Sequence, residues 1–403
     1  MKLLHTADWH VGKAVRGRSR AAEHQAVLAE IAAVAERESV DLVVVAGDLF
    51  DTASPSPEAE RIVYRALLDL AAGGRPVVVV AGNHDSAQRL AAVAPLSEAS
   101  GIHVAAAIRP PGEGGVLELD VDGEPAQVAL LPFPSQRYVV RADLLLAGDA
   151  ADAHAAYADR VARIVRALTA GFRADTVNLV VGHLMVMGGT LGGGERGAHT
   201  VFDYWVPATA FPAAAQYVAL GHLHRAQQLP GPAPLHYPGS PLQLDFGETA
   251  NEPQVNVVAL RPGRPAEVRA VPLRSGRRLR TLRGTLAEVL AAAGAEGPAG
   301  PEGDGDAGAT GDHLRIVLDE RARAGLADEV RARLPNAVEV VLAAREAEAD
   351  GPRRTADADR LRRTPHDLFV EYLATRDVDD ERLVALFDEL VDELASTPGE
   401  VAP

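Results

Sequence analysis

The sequence predicts an α/β fold built on a parallel sheet covered on both faces, and three observations predict it. Near-continuous apolar runs such as "DLVVVAGD" and "VVVVAGNHD" are short and rich in β-branched residues, as strands buried on both sides are. Between them lie stretches whose apolar residues recur at helical spacing. Each run then breaks at or near a glycine and presents polar side chains, at the carboxyl end of the strand where an open α/β sheet gathers its ligands.

In chain order, "KLLHTAD" reads as a strand, and residues 22–38 form a helix through Val27, Leu28, Ile31 and Val34. "DLVVVAGD" completes a βαβ unit. A helix over 57–72 carries Ile62, Val63, Ala66, Leu67 and Leu70 on one face, and the valine run after Pro76 is the next strand. Residues 102–131 read as shorter alternating strands with Gly and Pro turns. A helix through Val161, Ile164, Val165 and Leu168 precedes two further strands, "VNLVVGH" and "QYVALGH".

Around 261–283 Pro and Arg become dense, which places a domain boundary near 260 and a first domain over 1–260. Residues 261–345 make a small α/β module from "TLAEVLAAA", "HLRIVLD", "LADEVRARL" and "AVEVVL". Its insertion near 294–312 is Gly, Ala, Pro and acid rich, the composition of a disordered loop. A charged linker over 346–364 leads to two short amphipathic helices within 365–396. Leu368, Phe369, Tyr372 and Leu373 stripe one of them, and Leu383, Val384, Phe387, Leu390, Val391 and Leu394 the other. Helices this short must dock on something.

Composition removes several classes of function. The chain has 403 residues and no apolar run near the ~18 of a membrane span. "MKLLHTADWH" lacks a signal peptide's apolar stretch, so cytoplasmic residence is the default expectation. A net charge of −16 argues against broad electrostatic adhesion to nucleic acid or anionic lipid. With no cysteine, any metal must be held by His, Asp, Glu or Asn, which suits manganese, iron, zinc or magnesium.

The strand ends supply such donors: Asp8 and His10, Asp48 and Asp51, then Asn83, His84 and Asp85, then His183, then His222 and His224. One acid after a strand is ordinarily a helix cap, and one "GH" is ordinarily nothing. Five such elements in a chain with only 13 histidines point instead to one cluster with donors enough for two ions. A pair of ions that shares a carboxylate suits phosphoester hydrolysis. Two other features invite ligand readings that the sequence does not support. "GGTLGGGERG" at 188–197 lacks the Gly-Lys-Ser/Thr of a phosphate loop and reads as a mobile surface loop, and Trp9, between two donors, reads as a core residue.

In order and spacing, "ADWH", "GDLFD", "GNHD", "GH" and "GHLH" resemble the five signature motifs of the calcineurin-like metallophosphoesterases. Over about residues 1–250, "LLHTADWHVGK", "VVVAGDLFDTASPSP", "YVALGHLHRAQ" and "YPGSPLQLDFGE" look more narrowly like the SbcD family, nuclease subunits of bacterial SbcCD exonucleases. The resemblance implies a sandwich of mixed β-sheets flanked by helices, with a small α/β domain that caps DNA. It implies that Asp8, His10 and His224 bind one divalent ion and Asn83, His183 and His222 another, both most often manganese, with Asp48 bridging them. His84 would act on the scissile phosphate, with Asp85 orienting it by hydrogen bonding, and Asp51 would sit behind the ligands or beside the phosphate.

The resemblance further implies ATP-dependent double-strand exonuclease and single-strand or hairpin endonuclease activity in DNA repair, recombination and replication. It implies a homodimer within a heterotetramer with the SMC-like ATPase SbcC, in nucleoid-associated cytoplasm. The closing helices, through Leu368, Phe369, Tyr372 and Phe387, would engage that ATPase. Two basic runs are candidates for DNA contact: Lys13, Arg16, Arg18 and Arg20 beside the first motif, and Arg274, Arg277, Arg278, Arg280 and Arg283. The rival readings are a small-nucleotide phosphodiesterase or phosphatase and a non-catalytic DNA-end scaffold. The cap and closing helices argue against the first, and His84, idle in a purely structural site, argues against the second.

Overall fold

A computed structural model describes residues 1–121, 123–135, 157–195, 205–295 and 311–343, and near the C-terminus 369, 370, 373, 382–384, 386 and 387. β1 (Lys2–Thr6), β2 (Leu42–Ala46), β3 (Val77–Val80) and β4 (Ile102–Ala105) are parallel neighbours in that order. The chain then starts a second sheet with β5 (Val116–Val121), β6 (Glu124–Leu131) and β7 (Val177–His183). A two-stranded ribbon of β8 (Met185–Val186) and β9 (Trp205–Val206) follows. β10 (Tyr217–Gly221), β11 (Gln227–Leu229) and β12 (Leu235–Tyr237) complete the second sheet in the order β11-β12-β10-β7-β6-β5. Finally β13 (Gln254–Ala259) and β14 (Glu267–Pro272) return to the first sheet and pair antiparallel on the far side of β1.

The two sheets stack face to face, and the valine runs show why. Val43, Val45, Val77 and Val79 pack under helices α1 (Ala21–Arg37) and α2 (Pro57–Leu70), while Val44, Val78 and Val80 pack against the second sheet. Successive side chains alternate between two buried faces, so no position along the run meets water. At about 1.5–3 kcal/mol per buried valine, this sandwich is a large part of the fold's stability. Both faces are covered as the sequence predicts, one by helices and the other by a sheet. Ser56 and Ser86 accept hydrogen bonds from Ala59 N and Arg89 N, which cap α2 and α3 (Ala87–Glu98). α4 (Tyr157–Thr169) covers the outer face of the second sheet.

The composition change near 260 marks an edge strand of the first sheet rather than its end. β14 is the outermost strand and mostly exposed, with the charged Glu267 and Arg269 among its exposed residues. The small α/β module that the resemblance reads as a cap begins with a strand that the basic stretch conceals, β15 (Leu279–Gly284). β16 (His313–Leu318) and β17 (Ala337–Leu342) join it in a parallel three-stranded sheet, with α5 (Leu286–Ala295) and α6 (Leu326–Arg333) supplying its small core. Residues 296–310 of the predicted disordered loop and the whole predicted linker lie outside the described residues.

In the C-terminal unit, Phe369 and Phe387 stack with ring centroids 4.0 Å apart, so the two predicted stripes meet each other. Leu373 is buried, while Val370, Leu383 and Leu386 are exposed. Leu368 and Tyr372 lie outside the described residues. No helix among the described residues is long and apolar enough to cross a membrane.

Candidate metal centre

Parallel neighbours in register bring their carboxyl ends together: Leu3 pairs with Leu42, Val43 with Val77, and Gly221 with His183. The chain turns off each strand abruptly. Asp8, His10, Asp48 and His222 all adopt positive φ, at 54°, 47°, 52° and 101°. Non-glycine residues rarely take this conformation, and such strain collects where function over-determines the backbone. The turn also needs space. A Cβ on Gly221 would stand 1.9 Å from the Ala46 carbonyl oxygen and 2.9 Å from His183 Nδ1, so only glycine fits where the two sheets meet.

The side chains predicted from the sequence converge. His10 Nε2 and His224 Nε2 lie 3.2 Å apart, and Asp8 shares their cluster, within 4.8 Å. His183 Nε2 and His222 Nδ1 are likewise 3.2 Å apart, with Asn83 Oδ1 at 2.9 and 2.7 Å. Asp48 stands between the two sets, its Oδ2 3.5 Å from His10 Nε2 and 3.3 Å from His183 Nε2. Apart from the half-buried Asn83, these donors are fully or almost fully buried.

Two nitrogen pairs in van der Waals contact, each joined by oxygen donors and out of reach of solvent, form a donor set that fits two divalent ions. For three of the imidazoles, the nitrogen on the far side has a partner of its own. His183 Nδ1 donates to the Ala46 carbonyl at 2.7 Å, His224 Nδ1 to Glu248 Oε1 at 2.6 Å, and His10 Nδ1 faces Asp51 Oδ1 at 3.6 Å. Such outer contacts fix the tautomer that turns a lone pair inward. The centre is therefore a dinuclear site.

His84 sits beside this cluster. Its backbone N–H donates to Asp48 Oδ1 at 2.8 Å, its ring packs edge-on to His10 at 4.5 Å, and its Nδ1 lies 2.7 Å from the Asp51 carbonyl oxygen. Asp51, not Asp85, therefore orients His84. Asp85 instead accepts from Gly82 N, Phe50 N and Leu49 N at 2.9, 3.1 and 3.3 Å, and so ties the third strand's loop to the second's. The hydrogen bonds of the Asp85 carboxylate thus go to backbone, while the His84 ring nitrogen meets the Asp51 carbonyl.

The basic run after the first motif divides. Lys13 stays at the cluster, with Nζ 3.4 Å from Asp51 Oδ1. Arg20, expected at the DNA surface, is instead wholly buried in its side chain, paired with Glu23 at 2.8 Å and bonded to the Gln243 carbonyl, where no DNA phosphate reaches it. Arg16 is paired with Glu339 at 2.9 Å and Asp245 at 3.5 Å, and Arg18 reaches the Ala337 carbonyl. These arginines join the loop after β1 to the β15–β17 sheet. In the second run, Arg278 pairs with Glu252 and Arg280 with Asp312. Trp9 is buried, as expected, and donates to Thr6 Oγ1.

Three residues at the site escape sequence reasoning. Glu195 belongs to the glycine-rich stretch and is not on a loose surface loop. Its carboxylate accepts from Gly192 N, Gly193 N and His224 N at 2.6, 2.8 and 3.0 Å, so the described part of that loop is fastened to a ligand. Glu248 ends the "YPGSPLQLDFGE" stretch and is almost fully buried, which its place after Asp245, Phe246 and Gly247 does not signal. Phe133 stacks on His222 with centroids 5.9 Å apart. It lies just past β6, another strand end, but carries no donor to draw attention.

Burial disfavours charge throughout, and the neighbours decide where it survives. Burial pushes Asp8 up to about 7, against the pull of His183 and His224. For His183 and His224 burial opposes the charged form, but Asp48 beside the first and Glu248 beside the second overcome it, and both rise to about 9. Burial takes His10 down to about 4 despite Asp51. Without metal at pH 7.5, His183 and His224 therefore hold protons that a binding cation must displace. A raised value means more proton competition at lower pH, so metal affinity should climb from pH 6 to pH 9. Calorimetric titrations in buffers of different ionisation enthalpy should show proton release on binding. An affinity independent of pH across that range would contradict these assignments.

The calcineurin-like phosphoesterase family profile matches residues 1–124. The chain is 38% identical over 283 residues to the SbcD component of the SbcCD nuclease of Bacillus subtilis, covering 69% of this chain and 71% of that one. It is also 38% identical over 290 residues to the corresponding SbcCD nuclease component of Rhodobacter capsulatus, covering 68% and 69%. A dimetal phosphatase from Danio rerio aligns over 66% of this chain and 98% of its own, at 14% identity and a TM-score of 0.41. The five strand ends that carry the dinuclear donor set fall within a chain that belongs to the SbcD family of nuclease subunits, calcineurin-like phosphoesterases that cleave phosphodiesters with metal ions.

Proposed function

We propose that this chain is the nuclease subunit of an SbcCD-like complex that hydrolyses DNA phosphodiesters with two manganese ions. The observation that carries this reading is the position of Asp48 between two imidazole pairs with His84 alongside. Bound divalent cations would acidify water and polarise the phosphate. Asp8, His10 and His224 would hold one ion and Asn83, His183 and His222 the other, with Asp48 available to both.

His84, oriented by the Asp51 carbonyl, stabilises the charge that builds on the phosphate and gives a proton to the leaving oxygen. Lys13 offers the phosphate a charge at the cluster's edge. The C-terminal segments, with Val370, Leu383 and Leu386 exposed, are the docking element for the SMC-like ATPase SbcC, and the chain works as a homodimer within a heterotetramer. ATP turnover in that partner gates double-strand exonuclease and single-strand or hairpin endonuclease activity in repair and recombination.

Purified chain with manganese, alone and with the partner ATPase, should be offered linear duplex DNA, cyclic nucleotides and p-nitrophenyl phosphate. DNA degradation is expected. Turnover of the small substrates alone would favour a nucleotide phosphodiesterase, and no turnover with the ATPase present would favour a scaffold.

A further inference from the structure

We infer that Glu248 is a positioning residue of the subsite formed by Asp8, His10 and His224, and that the capping sheet holds it in register through Gln243 and Phe246. This inference rests on the two-metal reading above. Glu248 is almost fully buried. One carboxylate oxygen accepts from His224 Nδ1 at 2.6 Å, and the other accepts from Leu244 N at 2.7 Å. The first bond decides which imidazole nitrogen carries the proton. With Nδ1–H committed to Glu248, Nε2 turns its lone pair toward His10 and Asp8.

The second bond makes this arrangement depend on residues 243–248, which the capping sheet grips. Gln243, also almost fully buried, accepts from the backbone N–H of Leu279, the first residue of β15, at 2.7 Å. Its amide nitrogen donates to the Thr249 and Asn251 carbonyls at 3.1 and 3.0 Å. The Gln243 carbonyl takes the buried Arg20 guanidinium. Phe246 completes the seat in a small cluster with Val15, Leu279 and Val338, the last from β17. An unbroken set of contacts therefore runs from the capping sheet through 243–248 to His224.

Among the described residues, no comparable set of contacts runs from the capping sheet to the other subsite. His183 is held by the Ala46 carbonyl, and Asn83, His183 and His222 hold one another, with Phe133 against the ring of His222. Seating of the cap should therefore govern one ion and spare the other. Because coupling between binding events is reciprocal, metal should in turn steady the cap.

The test is a manganese titration of the full chain, followed by calorimetry and by the spin-coupled dinuclear signal, on wild type, Glu248→Gln and Val338→Ser. A carboxamide at 248 keeps the volume and the Leu244 bond but can donate to Nδ1, which moves the imidazole proton to Nε2. Wild type is expected to take two ions. Glu248→Gln should weaken one subsite by about 10- to 100-fold, leave the other unchanged and lose the coupled signal. Val338→Ser touches no ligand and should weaken the same subsite to a lesser degree. In wild type, manganese should slow amide exchange over Leu279–Gly284, and in Glu248→Gln it should not. Failure of wild type to bind two ions would overturn the two-metal reading itself. Two ions in wild type together with unaltered binding in Glu248→Gln, or a capping-sheet exchange rate indifferent to manganese, would overturn this inference alone.

Discussion

Replacing His84 by glutamine should lower manganese-dependent DNA hydrolysis by about 10²- to 10⁴-fold while both ions still bind. A ring nitrogen of His84 lies close enough to His10 and Asp48 to be grouped with them, but the Asp8–His10–His224 and Asp48–His183–His222 groups are complete without it, and its backbone N–H bond to Asp48 survives the substitution. Glutamine loses the transferable proton and the imidazole's reach, but not the local fold. The measurement is single-turnover cleavage of labelled duplex beside a metal titration of the same preparation. A variant that loses metal in proportion to activity would show that His84 holds the ions rather than acting on the phosphate.

Asp48→Ala is the complementary case and should be the more damaging to the centre. Its two oxygens serve three partners: His10 and His183 on opposite sides, and the backbone of His84. Burial works against its charge, yet His183 and His10 hold its carboxyl well below the usual range, so an anion is present for cations to share. Without it, loss of about 4 kcal/mol of transition-state stabilisation corresponds to about a thousandfold in rate. Metal stoichiometry should fall from two to one or fewer. The contrast between two variants, one inactive and fully loaded and the other inactive and depleted, separates chemistry from assembly.

Much of the site was legible because the rule that finds it is local. Each strand advertises itself by a valine-rich run, and whatever stands at its carboxyl end is carried to the same edge by parallel pairing, so Asp8, His10, Asp48, Asn83, His183, His222 and His224 could be read in one pass. The supporting residues obey no such rule. Glu248 reaches His224 across 24 residues and Glu195 across 29, through turns whose paths are set by tertiary packing. Orientation of the His84 ring falls to a backbone carbonyl, which has no letter in a sequence.

Charge was the least legible property. Arg16 and Arg20 look identical to solvated arginines in the sequence, and only the folded chain sets Glu339 and Glu23 against them. In the same way β15 hid inside a basic stretch because its two buried residues, Leu279 and Leu282, stand three apart among arginines and lack the period of two that marks a strand. The stacking of sheet on sheet was also ambiguous, since a strand buried under a helix and one buried under another strand are equally apolar.

Each half of the dinuclear centre draws on both sheets. Asp8, His10, Asp48 and Asn83 follow strands of the first, and His183, His222 and His224 end or follow strands of the second. The ions would therefore act as rivets across the sandwich, and chelation would loosen the very seam along which the chain would come apart on heating. At a free concentration a hundredfold above the dissociation constant, one ion contributes about 2.7 kcal/mol against melting. The supply of divalent metal would then set how long the folded chain persists as well as how fast it cuts.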